Sequence, residues 1–159
     1  IRINIYKKIL FKNKPIVLLQ ANDNKVAHAG DITCQIYKNL GAVGFITDGN
    51  IRDIDKCEEI NFPVFCQNTN PIDAIDYWAL TEFQTNITIN KVLIKPGDMI
   101  YASNDGVIRV KKNDFPKFTY KMDQILKKEN DVRKLLKKIK KKNDYKKPLI
   151  NFLKKRGRW

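Results

Sequence analysis

Two short apolar runs with an amphipathic helix between them constrain this chain more than any other feature. Ile16 to Gln20 (Ile-Val-Leu-Leu-Gln) is a continuous apolar run of strand length, which reads as a strand covered on both faces. Ala21 to Lys25 (Ala-Asn-Asp-Asn-Lys) is a turn cluster. Ile32, Ile36, Tyr37 and Leu40 then fall on one face of a helix over residues 32–40. Asp31 stands at or next to the N-cap, where its carboxylate can accept bonds from free amides, and Gly41 closes the helix at C′. Val43 to Thr47 is a second apolar run. This strand–turn–helix–strand order with short links predicts an α/β domain.

Further along, residues 54–60 read as a short polar helix or loop and residues 62–66 as a strand with Pro63 near its start. Residues 68–77 read as a loop, with one helical turn after Pro71. Residues 83–94 alternate as a hairpin turning at Asn90-Lys91, and residues 99–102 and 107–110 form a second hairpin around Asn104-Asp105-Gly106. Pro116 is expected to break the pattern over residues 114–120, with a charged helix from Met122 onward and a last short helix at 149–153. Residues 1–14 fit a helix or a strand equally. The domain expected is residues 1–112, followed by a basic helical extension over 113–159.

The length and the 43% hydrophobic content suit one globular domain with a real core. No apolar run approaches a membrane span, so no membrane partner is expected. The chain opens on Ile1 rather than Met, without an h-region and cleavage site, which suggests a missing N-terminal piece. Cys34, Cys57 and Cys66 are odd in number and lack C-x-x-C spacing, so neither zinc nor a disulfide framework is indicated and a reducing cytoplasm is the default. The net charge of +14 is uneven: residues 121–159 hold 16 Lys and Arg against 4 Asp and Glu, leaving 15 against 13 elsewhere. A basic tail of this kind offers nucleic acid a sequence-independent attraction, although much of the lysine also fits a solvated face.

A charged pair follows the second apolar run. Asp48-Gly49 marks a sharp turn, and Arg52-Asp53 comes directly after it. Such a pair is either simply solvated or part of a site. The helix and returning strand separate Asp31 from Arg52, and that crossover would bring the helix N-terminus back beside the pair. The amides of residues 30–33 would then form an anion cradle. Arg52 offers a planar fork for a carboxylate or enolate, and Asp53 is a hard oxygen ligand for Mg²⁺. Together they could bind a 2-oxo acid and stabilise negative charge on its oxygen. His28, just before the helix, lacks an identifiable partner for base catalysis and reads as a partly buried residue.

Asp31, twenty intervening residues and Arg52-Asp53 resemble the D-x20-R-D motif of the RraA-like family. Gly41-Ala-Val-Gly44 through Asp48-Gly49 to Arg52-Asp53, Pro63-Val64-Phe65, Pro96-Gly97-Asp98 and Asp105-Gly106-Val107 follow that family's pattern in order. The chain departs from it at Lys56, Asn90-Lys91 and Ser103. The resemblance implies a swivelling β/β/α domain, a homotrimer or multiple of trimers, and sites at subunit interfaces. It implies a divalent-metal lyase using Mg²⁺ or Mn²⁺. The reaction would be retro-aldol cleavage of 4-hydroxy-4-methyl-2-oxoglutarate or decarboxylation of oxaloacetate, yielding pyruvate through a metal-stabilised enolate. Gly30, Asp31, Ile32 and Thr33 would line the substrate cradle, Arg52 would hold the substrate and stabilise the enolate, Asp31 would orient a proton-exchanging water, and Asp53 would ligate the metal. The alternative within the same family is a non-catalytic regulator of the ribonuclease E type. The regulator subgroup lacks the Asp at the position of Asp53, so its presence here favours the enzyme.

Overall fold

Three parallel strands form the spine: β1 (Ile16–Leu19), β2 (Gly44–Thr47) and β4 (Val64–Phe65), in the order β1-β2-β4. They come from a computed structural model that describes residues 14–138 together with Lys147, Ile150, Asn151 and Lys154. Residues 1–13 and most of the tail beyond 138, including most of the helix expected at 149–153, lie outside the described residues. Val17 is in register with Phe45, and Phe45 with Val64. Because side chains alternate along a strand, these residues and Leu19 share one face, and Leu18, Ile46 and Phe65 share the other.

Helices α1 (Asp31–Asn39) and α2 (Ile54–Glu59) cover the first face. Cys34 of α1, Cys57 of α2, Phe45 of β2 and Ile51 are essentially sealed from solvent. They form one core with Ala29, Ala42 and Phe62, against which Val17, Leu19, Tyr37 and Val64 pack. Tyr37 stacks on Phe45 at 5.6 Å between ring centroids. Gly41, at a φ of 96°, takes the left-handed conformation that ends α1 and returns the chain into β2.

The second face looks onto two hairpins. One is β6 (Ile87–Ile89) with β7 (Val92–Ile94), antiparallel; the other is β8 (Met99–Ser103) with β9 (Gly106–Val110). Leu18, Ile46 and Phe65 share a mainly apolar cleft with Ile89, Val92, Ile94, Ile100 and Val107. Helices, parallel sheet and hairpins thus form successive layers, and the expected α/β class with its β/β/α layering is what the chain adopts.

The sequence reading misplaces some boundaries. Asn50–Ile51 (β3) and Asn68–Thr69 (β5), expected as turn and loop, pair as two short parallel strands. Two polar-rich residues are too few to show a period of two. Pro116 does not break the chain: α3 runs over Phe115–Lys138 and holds it in its first turn, where a missing N–H costs nothing. A single turn does follow Pro71, closed by Tyr77 and Trp78 amides donating to the Ala74 carbonyl. The described residues divide into two compact units, which part between Arg109 and Val110. Among the described residues no helix is long and apolar enough to cross a membrane.

Candidate active site

Strand β3 organises the candidate site. Its backbone is bonded on one side to residues 27–29: His28 N–H donates to Asn50 O at 2.9 Å and Arg52 N–H to Ala29 O at 3.0 Å. On the other side Asn70 N–H donates to Ile51 O at 2.9 Å, continuing the pairing with β5. Three remote segments, 27–30, 50–53 and 68–73, therefore meet edge to edge. The first leads into α1, the second into α2, and the third into a loop.

Gly30 is the N-cap of α1 and has extended backbone, so Asp31 is the first helical residue rather than the cap and makes no capping bond. An added Cβ on Gly30 would lie 3.1 Å from both Arg52 Cγ and Asp53 Oδ2. The absence of a side chain is thus what lets the α1 N-terminus approach the charged pair. Asp53 sits in the left-handed region, at φ 58° and ψ 39°, as the N-cap of α2. Its carboxylate makes no capping bond and points instead to Arg52, with Oδ2 at 3.4 Å from Nε. Aspartate is one of the few non-glycine residues that enter this region readily, because its short polar side chain can bond locally.

Two further ion pairs complete the cluster. Arg52 Nη2 lies 2.8 Å from Asp73 Oδ2, and Lys56 Nζ lies 3.6 Å from Asp31 Oδ2. Arg52, Asp53, Thr69, Asn70 and Pro71 line an open cavity of about 450 Å³. Gly30, Asp31, Arg52 and Asp53 are therefore brought together. Thr33 lies in the first turn of α1, and Ile32, 72% exposed, directs its side chain to solvent. Ile32 therefore offers the site its backbone amide only.

The sequence reading missed Asp73 as a partner of Arg52, because nothing in a loop sequence announces which strand edge it will follow. The Asn70-Pro71 turn beside a strand-like run was the available signal. Asn70 Oδ1 accepts from Ile72 N–H at 2.9 Å and its Nδ2 donates to Lys25 O at 2.9 Å, which holds that loop in place.

His28 stands apart from the cluster's chemistry. It is buried, edge-on to Trp78 with ring centroids 5.0 Å apart, and its Nε2 is 3.3 Å from Asp23 Oδ2 without hydrogen-bond geometry. It packs beneath Gly49, as the reading of a buried residue expects. Burial pushes the Cys34 thiol well above its ordinary range, with the adjacent Cys57 adding to the effect. Cys57 and Cys66 are likewise raised, chiefly by burial. Cys34 and Cys57, sealed in the core, act as packing groups.

Among the described residues no cluster of three or more His, Cys, Asp or Glu side chains could enclose a metal ion. Asp53 offers a single uncapped carboxylate beside the space that Gly30 leaves open. That fits Mg²⁺ or a similar hard cation, which keeps most of its waters and takes one or two protein carboxylates.

The profile of the RraA-like family, described as Aldolase/RraA, matches residues 7–109. A Halalkalibacterium halodurans protein named "Putative 4-hydroxy-4-methyl-2-oxoglutarate aldolase" is 36% identical over 66% of this chain and 51% of its own. An uncharacterised protein of Methanocaldococcus jannaschii is 31% identical over 81% of this chain and 63% of its own. The chain thus spans about half to two thirds of the length of these curated relatives. RraAS2 of Streptomyces coelicolor, titled an unusual member of the RNase ES inhibitor RraA protein family, shares the fold. Its TM-score is 0.71 at 22% identity, over 83% of this chain and 67% of that one.

Proposed function

This chain belongs to the RraA-like (Aldolase/RraA) family, and from that premise we propose that it is a divalent-metal-dependent lyase of 2-oxo acids. The reaction is retro-aldol cleavage of 4-hydroxy-4-methyl-2-oxoglutarate, decarboxylation of oxaloacetate, or both, releasing pyruvate. The supporting observation is the convergence of the α1 N-terminus with Arg52 and Asp53 across a glycine that leaves no side chain between them.

Each residue has a role that its chemistry suits. The free amides at the start of α1 and the guanidinium of Arg52 bind the carboxylate and 2-oxo oxygen of the substrate. Asp53 would hold a Mg²⁺ or Mn²⁺ ion, which when bound supplies Lewis-acid polarisation of the 2-oxo group. Arg52 stabilises the negative charge that develops on the enolate oxygen as the carbon–carbon bond breaks. A water oriented by the Asp31 carboxylate exchanges protons: in retro-aldol cleavage it takes up the C4 hydroxyl proton as the carbon–carbon bond breaks and delivers it to the enolate carbon, and after loss of CO2 it protonates that carbon and is left as hydroxide. A homotrimer, or a multiple of trimers, is the proposed assembly. The exposed apolar side chains of Ile72, Ile75, Tyr77 and Leu80 support it as surface suited to burial against a second copy.

Pyruvate release from oxaloacetate, followed with and without Mg²⁺ or Mn²⁺, tests the assignment. Metal-stimulated release that Asp53→Ala lowers at least a hundredfold is expected, with calorimetry showing parallel loss of Mn²⁺ binding. An unchanged rate in Asp53→Ala removes the proposal. The second reading is a non-catalytic binding protein of the ribonuclease E regulator type. The Lys56–Asp31 ion pair favours it, because it engages the carboxylate assigned to proton exchange. Metal-dependent turnover rules that reading out.

A further inference from the structure

We propose that Asp73 is the positioning residue for Arg52, fixing one edge of the guanidinium so that another faces the substrate. The inference rests on the lyase reading above, in which Arg52 holds the substrate carboxylate.

A guanidinium presents hydrogen-bonding edges of two kinds, one formed by Nε with a terminal nitrogen and one formed by the two terminal nitrogens. In this site the first is engaged. Arg52 Nε faces Asp53 Oδ2 at 3.4 Å, and Nη2 faces Asp73 Oδ2 at 2.8 Å. With both carboxylates gathered on the Nε–Nη2 edge, the Nη1–Nη2 edge is the one to receive an incoming carboxylate. Arg52 lines the cavity where that carboxylate would sit.

Asp73 is built to act as a fixed point. Its second oxygen, Oδ1, accepts from the Ile75 amide at 2.9 Å. Its backbone forms a parallel bridge to Ala27, and the Ala27 amide donates to the neighbouring Ile72 carbonyl at 2.8 Å. Ala27 is bridged in turn to Asn50 on β3, two residues before Arg52. The carboxylate and the guanidinium it holds are thus tied to the same strand edge. An arginine side chain that is 40% exposed would otherwise sample many rotamers. Held by two carboxylates on one edge, it meets the substrate already oriented, with the 2.8 Å ion pair to Asp73 the closer of the two contacts.

Kinetics of oxaloacetate decarboxylation in the full chain test this directly, comparing wild type with Asp73→Asn and Asp73→Glu. Asp73→Asn retains an oxygen for the Ile75 amide and removes the charge. It is expected to raise KM about tenfold while kcat falls less than threefold, with thermal melting and Mn²⁺ affinity unchanged; Asp73→Glu recovers part of the loss. In an Arg52→Lys background, which cannot present two edges, Asp73→Asn is expected to cost nothing further. Unchanged KM in Asp73→Asn, tighter substrate binding, or full additivity with Arg52→Lys overturns the inference while leaving the lyase reading intact. Absence of turnover in the wild type overturns both.

Discussion

A Cβ added at Gly30 would sit 3.1 Å from Arg52 Cγ and Asp53 Oδ2, closer than ordinary van der Waals contact. Gly30→Ala should therefore displace the charged pair more than it disturbs the fold. A fall in kcat/KM of about tenfold is expected, equivalent to about 1.4 kcal/mol. Thermal melting, nearly unmoved, separates this from unfolding; unaltered kcat/KM contradicts it. The thiols act differently. Burial raises Cys34, Cys57 and Cys66, so in the folded chain they stay protonated at pH values where the unfolded chain ionises them. Their stabilising contribution is complete below the ordinary thiol pKa of 9.0 and is lost as pH rises above it. Denaturant titrations from pH 8 to 10 should show stability falling, and less steeply in Cys34→Ala. The sealed pair Cys34 and Cys57 should also resist a thiol reagent at pH 8 that labels all three cysteines after unfolding.

Two turns decide whether the elements meet correctly. Gly49, at the β2–β3 junction, has His28 Nδ1 and Ala21 Cβ within 2.6 Å of where its Cβ would be. Gly49→Ala should destabilise the chain by about 1–3 kcal/mol through overpacking, read as a lower denaturation midpoint at unchanged slope. The β6–β7 hairpin offers the opposite sign. Asn90 and Lys91 both have positive φ, 47° and 67°, the two-residue turn whose favoured sequence is Asn-Gly. Lys91→Gly relieves a lysine in the left-handed region and should stabilise by about 0.5–1 kcal/mol. A lower midpoint would mean that the Lys91 side chain makes a compensating interaction.

For the molecule as a whole, charge is distributed by region rather than by fold. Residues 121–159 carry nearly all of the excess that makes up the net +14, and the α/β unit is close to balance. Neutralising Lys134 and Lys137 to Gln in the full chain should leave pyruvate release unchanged. It should reduce the salt slope of retention on immobilised RNA by about 0.7 for each phosphate that is no longer neutralised. An identical slope would assign these lysines to solvation alone. The strand–helix–strand order was legible in the sequence because Ile16–Leu19, the 31–39 helix with its Gly41 stop, and Gly44–Thr47 each carry a local period or a local cap. The Asp31 and Arg52-Asp53 spacing was legible because a parallel crossover returns a helix N-terminus to the strand end. The pairing of β3 with β5 was not, since two-residue strands hold no pattern. Neither was the grip of Asp73 on Arg52, which joins residues 21 positions apart through a loop. Local periodicity and capping, written residue by residue, determined the elements and which charges stand at their ends. Only tertiary packing, by laying segments 27–30 and 68–73 along the two edges of β3, decided which of those charges touch.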